Sequence, residues 1–245
     1  MGISRFITRL SAALAGAAML CTQIPAIYAF AADEAGFESN GIPIVYINID
    51  ESKGTIEQMN SSEDHSAECK GKITIDVPDG YKGDYSAKEL EDINDLKLDY
   101  IKGRGNSTWE ADKKPYKLKL DKSTDLLGMG KNKHWALLAN RFDQSLMRNR
   151  VGMYIAERLG LEYTPKMLPV DVVMNGEYLG SYVLAQSVRV GKTRVEIDEL
   201  SAEDNAEPEI TGGYLLSLLG DHDDDPEDTR KTKKRQRLMT KPQCP

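Results

Sequence analysis

The sequence predicts an α+β fold, β-rich through most of its length and carrying one main helix. Three observations support this. Short runs rich in β-branched and aromatic residues recur from Ile42 to Ala185. The segment Asp143 to Leu159 has a broad apolar stripe at helical spacing, through Leu146, Val151, Met153, Tyr154, Ile155 and Leu159. Asn175-Gly176 lies between two β-rich runs, the strongest short-range hairpin signal a sequence offers.

The elements follow in order. Ile42 to Asp50 alternates in part and predicts a strand. Lys53 to Lys70 is polar and reads as a loop. Lys72 to Val77 alternates and stops at Pro78-Asp79-Gly80, a turn signal. Leu98 to Lys102 predicts a strand ended by Gly103 and Gly105. Pro115 to Leu120 predicts another, with Tyr116, Leu118 and Leu120 on one face. The two-residue period then puts Lys117 and Lys119 together on the other face. His134 to Leu138 is a short apolar strand. The helix follows, with Asp143 as its N-cap or first-turn acid and Gly160 just past its end. Val170 to Met174 and Tyr178 to Ala185 are the two arms of the hairpin. Gly212-Gly213 leads into a last apolar strand, Tyr214 to Leu219.

The first residues are a targeting segment. Arg5 and Arg9 precede an apolar stretch from Leu10 to about Ile27, and Ala29-Phe30-Ala31 supplies a cleavage site. Residues 1–31 therefore read as a secretory signal peptide, and the protein as secreted. Residues 32–97 form an N-terminal β-rich portion and residues 98–220 the core. Residues 221–245 are a charged tail, acidic and then basic, with little to bury, and read as disordered. After signal removal no segment is apolar enough to span a membrane.

The net charge of −7 across 245 residues argues against a general nucleic-acid binder. Past the signal segment Cys69 and Cys244 remain, far apart, so a disulfide framework is not expected. His65, His134 and His222 make no metal-ligand spacing.

The chemistry concentrates between Tyr100 and Asn149. Arg104-Gly105-Asn106-Ser107-Thr108 is a Gly-centred turn rich in hydrogen-bonding groups. Lys113, Lys114, Lys117 and Lys119 surround one strand, and the two tryptophans, Trp109 and Trp135, flank it. Arg148-Asn149 lies on the helix opened by Asp143. Such a turn can cradle an anion on its amides, with Arg104 binding phosphate, or it can be purely structural.

This stretch resembles the spore coat protein H (CotH) kinase family, over roughly Leu98 to Leu219 and more loosely over Ile42 to Asp50. The resemblance implies a divergent protein-kinase-like fold, with a β-rich N-terminal lobe holding the main helix and an incomplete C-terminal lobe. It implies transfer of the γ-phosphoryl of ATP, with Mg²⁺ or Mn²⁺, to Ser or Thr of surface or spore-coat proteins. Phosphoryl transfer needs a cation on the phosphates, carboxylates for metal and a carboxylate near the acceptor hydroxyl. Lys117 or Lys119 would meet the phosphates, Lys119 being preferred, with Arg104 and Asn106 contributing from the turn. Asp198 is the candidate catalytic acid and Asp221 the candidate metal ligand. Asp143 and Glu157 are the acids on the helix available to pair with the lysine.

The chain departs from the family pattern twice. Gln186 stands where members commonly carry glutamate, and members continue beyond the Gly-Gly-Tyr strand, where this chain reaches Pro245. Two further readings follow. One is a catalytically inactive or truncated CotH-like module that acts in coat or surface assembly. The other is an extracellular glycan-binding β module using Trp109 and Trp135 as stacking platforms.

Overall fold

Seven strands close into a barrel in the order β1-β2-β3-β4-β5-β7-β6 in a computed structural model that describes residues 40–198, 205–207, 210 and 213–216. The strands are β1 Ile44–Ile49, β2 Glu68–Asp76, β3 Ile93–Gly103, β4 Tyr116–Asp125, β5 Lys131–Leu138, β6 Met167–Met174 and β7 Glu177–Gln186. A 3₁₀ turn, Glu51–Lys53, and a short helix α1, Ile56–Ser61, follow β1. Helix α2, Arg148–Arg158, lies between β5 and β6. The described residues from Gly41 onward belong to one unit. The signal segment, the tail and residues 217–219 of the last predicted strand lie outside the described residues. Gly213 to Leu216, the described part of that region, takes no strand pairing.

This architecture corrects the fold class. An α+β, two-lobed, kinase-like arrangement with an incomplete C-terminal lobe was expected; the described residues form a mostly β, closed barrel. The cause is one long-range pairing. β1 pairs antiparallel with β2 on one side and parallel with β6 on the other, Ile44 to Ile47 lying beside Asp171 to Met174. Both edges of the sheet are thereby used up, and exposed edges are what a sheet must otherwise protect. Their β-rich composition marks β1 and β6 as strands; it carries no information that they meet. Irregular register within β2–β3, β3–β4 and β6–β7 supplies the bends that closure requires. The boundary between residues 97 and 98 falls inside β3.

The interior is packed by alternate residues of each strand. Val45 and Ile47, Ile73 and Ile75, Leu118 and Leu120, Trp135 and Leu137, and Val170 and Val172 are buried in a single cluster. Burial of a leucine such as Leu118, fully inaccessible here, contributes about 1.5–3 kcal/mol.

The hairpin forms as predicted. Met174 faces Glu177, and the two-residue loop has positive φ at both Asn175 (46°) and Gly176 (83°). That pair of angles is the demand of a type I′ turn, which Asn-Gly meets at little cost. Asn175 also accepts the Ile49 amide on its side chain at 2.7 Å, tying the turn to β1.

The helices depart from expectation. The polar stretch after β1 holds α1, whose Thr55 and Gln58 cap each other reciprocally. This Thr-x-x-Gln box is a helix signal present in the sequence. Helix α2 is shorter than the predicted Asp143–Leu159. It ends in a Schellman motif, Gly160 N–H to Glu157 O at 3.0 Å and Leu161 N–H to Ala156 O at 3.0 Å. None of its residues is buried. Met153 packs on Met167, Val183 and Ala185 of the barrel's outer surface, while Val151, Tyr154 and Ile155 remain about half exposed.

Candidate functional site

Lysines gather on the outside of the barrel. In β4, Tyr116, Leu118 and Leu120 point inward and the lysines between them point out. Lys117 lies opposite Lys102 of β3 and opposite Ala136 of β5. Lys119 lies opposite Tyr100 and His134. Opposed residues of an antiparallel pair share a face. The register thus assembles Lys102, Lys117, Lys119 and His134 around Tyr100 and Ala136. The Lys102 and Lys119 ammonium groups both lie over the Tyr100 ring, 5.0 and 5.6 Å from its centroid. Ala136 faces Ala185 of β7, so the small residues continue toward Met153 of α2. The result is a row of cations on the outer face, beside alanines that are themselves buried.

Lys102 and Lys119 each have a carboxylate partner. Lys102 binds Glu68 at 3.0 Å and Lys119 binds Asp99 at 3.1 Å. Both acids are partly exposed, and such pairs are weak enough to be exchanged for a more strongly charged ligand.

The β3–β4 connection carries the remaining predicted residues. Arg104 N–H bonds to Pro115 O at 3.3 Å, continuing the ladder one step past Gly103. Gly105 has φ 87°, and a Cβ there would meet Thr108 Oγ1 at 2.3 Å, so the turn requires glycine on both counts. Asn106 is exposed and accepts the Trp109 amide at 2.8 Å. With Ser107, Trp109, His65 and Lys114 it lines a cleft of about 800 Å³ at this end of the barrel. The predicted phosphate ligands therefore divide between the outer face, Lys117 and Lys119, and the terminal loop, Arg104 and Asn106.

Lys113 and Lys114 serve the barrel itself. Lys113 Nζ donates to Ser181 O and sits over the Tyr182 ring, and burial pulls its pKa down. Lys114 Nζ donates to Trp109 O. Asp171, buried on β6 beside β1, accepts the Ser181 hydroxyl at 2.6 Å.

The tryptophans are not stacking platforms. Trp135 is fully buried, with its indole N–H on Asn132 O at 3.1 Å. Trp109 is 6% exposed, donates to Ser62 O at 2.9 Å and packs edge-on against His65 and Tyr116. The glycan-binding reading loses its physical basis.

Asp198 is exposed, beyond the small bridge that joins Val190 to Val195. Asp221 lies outside the described residues. Among the described residues no three His, Cys, Asp or Glu side chains come together as a metal site. Of the helix acids, Asp143 is committed to its own turn, taking the Ser145 hydroxyl at 2.6 Å and the Arg148 amide at 2.8 Å. Glu157 faces a separate cavity beside Lys166 and Arg194.

Gln186 has a definite structural role. It is buried; its side-chain amide donates to Met129 O, and its Oε1 accepts the Lys166 N–H at 3.0 Å. Sequence reasoning missed Lys102, His134 and Arg194. Period two puts Lys102 on a defined face of β3, but only the register sets it against Lys117.

A closed barrel with a cationic outer face is the class of module that the described residues define. The family model for CotH kinase protein matches residues 101–241, more than half of the chain, and the chain belongs to that family. No curated protein matches it. Among the described residues no helix is long and apolar enough to cross a membrane.

Proposed function

We propose that this chain is a secreted, ATP-dependent phosphotransferase of the CotH family, acting on Ser or Thr of surface or spore-coat proteins. The observation that supports this reading is the face built by Lys102, Lys117 and Lys119. Three ammonium groups on adjacent strands suit a polyphosphate. Lys117 and Lys119 would hold the phosphates, with Arg104 and Asn106 approaching from the loop. The divalent ion fits less well. The described residues offer it no grouped carboxylates, so no step is assigned to it. Asp198 as the acceptor-side carboxylate and Asp221 as the metal ligand rest on their order in the chain. ATP would supply the transferred phosphoryl group. The residues of this chain would neutralise its charge and fix its orientation.

A second reading has its own observation. Lys102 and Lys119 are already paired with Glu68 and Asp99, as in a strand whose lysines are structural. On that reading the chain is a non-catalytic CotH module in surface or coat assembly.

Incubation with γ-labelled ATP, Mn²⁺ and a Ser/Thr-rich acceptor protein separates the two. Label on the acceptor that disappears in Lys117→Ala/Lys119→Ala supports the enzyme. Label at background in the intact, folded chain assigns the module.

A further inference from the structure

Arg194 is a buried arginine stacked beside Trp135. It is 7% exposed, and its guanidinium lies over the Trp135 ring at 4.7 Å. Nη1 donates to Thr193 O at 2.9 Å. Nε and Nη2 are shut away from solvent and have no hydrogen-bond partner among the described residues. Burial pulls the pKa down to about 10, with Asp125 offsetting part of the shift. A buried charge normally has a partner, and unpaired donors of this kind call for an explanation.

The two vacant nitrogens are not an arbitrary pair. Nε–H and Nη2–H form the side edge of the guanidinium, whose parallel donors match the two oxygens of a carboxylate. Arg194 lines a cavity of about 440 Å³ shared with Asp125, Glu157, Thr164, Lys166 and Gln186. Asp125 is engaged, accepting the Gly130 amide at 2.9 Å. Gln186 is engaged as described above.

We propose that this cavity is a carboxylate-binding site, in which Arg194 grips the ligand side-on and Lys166, whose ammonium rests over the Tyr85 ring at 5.0 Å, swings in to add a second positive charge. Asp125 and Glu157 line the same space, so a singly charged carboxylate is favoured over a doubly charged phosphate. The fork is dry, so the ligand enters as the Leu161–Tyr163 connection yields or the guanidinium turns toward the opening; Leu161 and Tyr163 are 60% and 45% exposed. The carboxylate can be a free small acid or the side chain of a protein partner.

The test is titration of the intact chain with sodium acetate, sodium phosphate and the blocked peptide acetyl-Gly-Glu-Gly-amide, at ionic strength held constant with sodium chloride. Tryptophan emission and the melting temperature are followed together, Trp135 being the ring under Arg194. The expected result is a saturable change in emission and a higher melting temperature with a carboxylate, and at least about tenfold weaker binding of phosphate. A stronger response to the peptide than to acetate assigns a protein side chain as the source, and the reverse assigns a free acid. Arg194→Gln should abolish the response, and Arg194→Lys should weaken it by about tenfold or more, having lost the planar fork. Without ligand, Arg194→Gln should melt no lower than the parent, because it removes an uncompensated charge. No saturable response, an equal response in Arg194→Gln, or an Arg194→Gln chain that no longer folds would each overturn the proposal.

Discussion

The carboxylate of Asp143 accepts the backbone N–H of Arg148, the first residue of α2, at 2.8 Å, and lies 3.6 Å from that residue's guanidinium. On a continuous helix, residues five apart do not face each other. They meet here because residues 143–147 form turns, with Leu146 N–H on Asp143 O at 3.0 Å. Met147, in the N-cap position, offers no side-chain bond, and Asp143 does that work from outside the helix. The Ser145 hydroxyl, then the Arg148 amide, hold its pKa below the ordinary carboxylate value.

The pH dependence follows from that direction. A depressed folded-state pKa means that the ionised carboxylate stabilises the fold above the unfolded value, about 3.9, and that this contribution is lost as pH falls through the folded value. Asp143→Asn should therefore melt lower than the parent at pH 7, and the gap should close as the pH falls below about 4. An equal gap at pH 7 and pH 3, measured by thermal unfolding, would show that the charge is not what matters.

Gln186 should not tolerate replacement by glutamate. A carboxylate has no donor for Met129 O, and Thr193 O lies 3.5 Å from the same nitrogen. Gln186→Glu should cost about 1–3 kcal/mol, read as a lower denaturation midpoint. An unchanged midpoint would mean that Arg194 or Lys166 turns to accept the new charge.

Gly103 should not tolerate a methyl group. Its ideal Cβ would fall 2.4 Å from the Trp109 ring, which the Ser62 carbonyl holds in place. Gly103→Ala should destabilise by about 1–3 kcal/mol. Gly176→Ala has open space but φ 83°, and should cost about 1–2 kcal/mol through backbone strain alone. Paired denaturation curves would separate the steric effect from the conformational one: adding Trp109→Phe should partly rescue the first and leave the second unchanged.

Much of the strand pattern was legible in the sequence. Alternation or β-rich, apolar composition marked part of each of the seven barrel strands, Asn175-Gly176 marked the hairpin, and Gly160 marked the end of α2. The lysines of β4 share a face as their spacing requires. Closure was not legible, because β1 and β6 are neighbours in space but more than a hundred residues apart, and local periodicity says nothing about such partners. The cationic face was only half legible for the same reason. Lys117 and Lys119 are linked by period, whereas Lys102 and His134 join them through register. The apolar stripe of α2 predicted its helicity and not its exposure, since periodicity identifies a face without showing what covers it.

Nucleotide binding at the lysine face is read from thermal unfolding of the intact chain with and without Mn²⁺-ATP. At a hundredfold excess over the dissociation constant, binding should add about 2.7 kcal/mol of stability. A nucleotide site there gives a cooperative melt that rises with Mn²⁺-ATP, and a Lys117→Ala/Lys119→Ala variant that melts cooperatively but ignores it. A parent melt that does not move, or a variant that shifts as far as the parent, would contradict it.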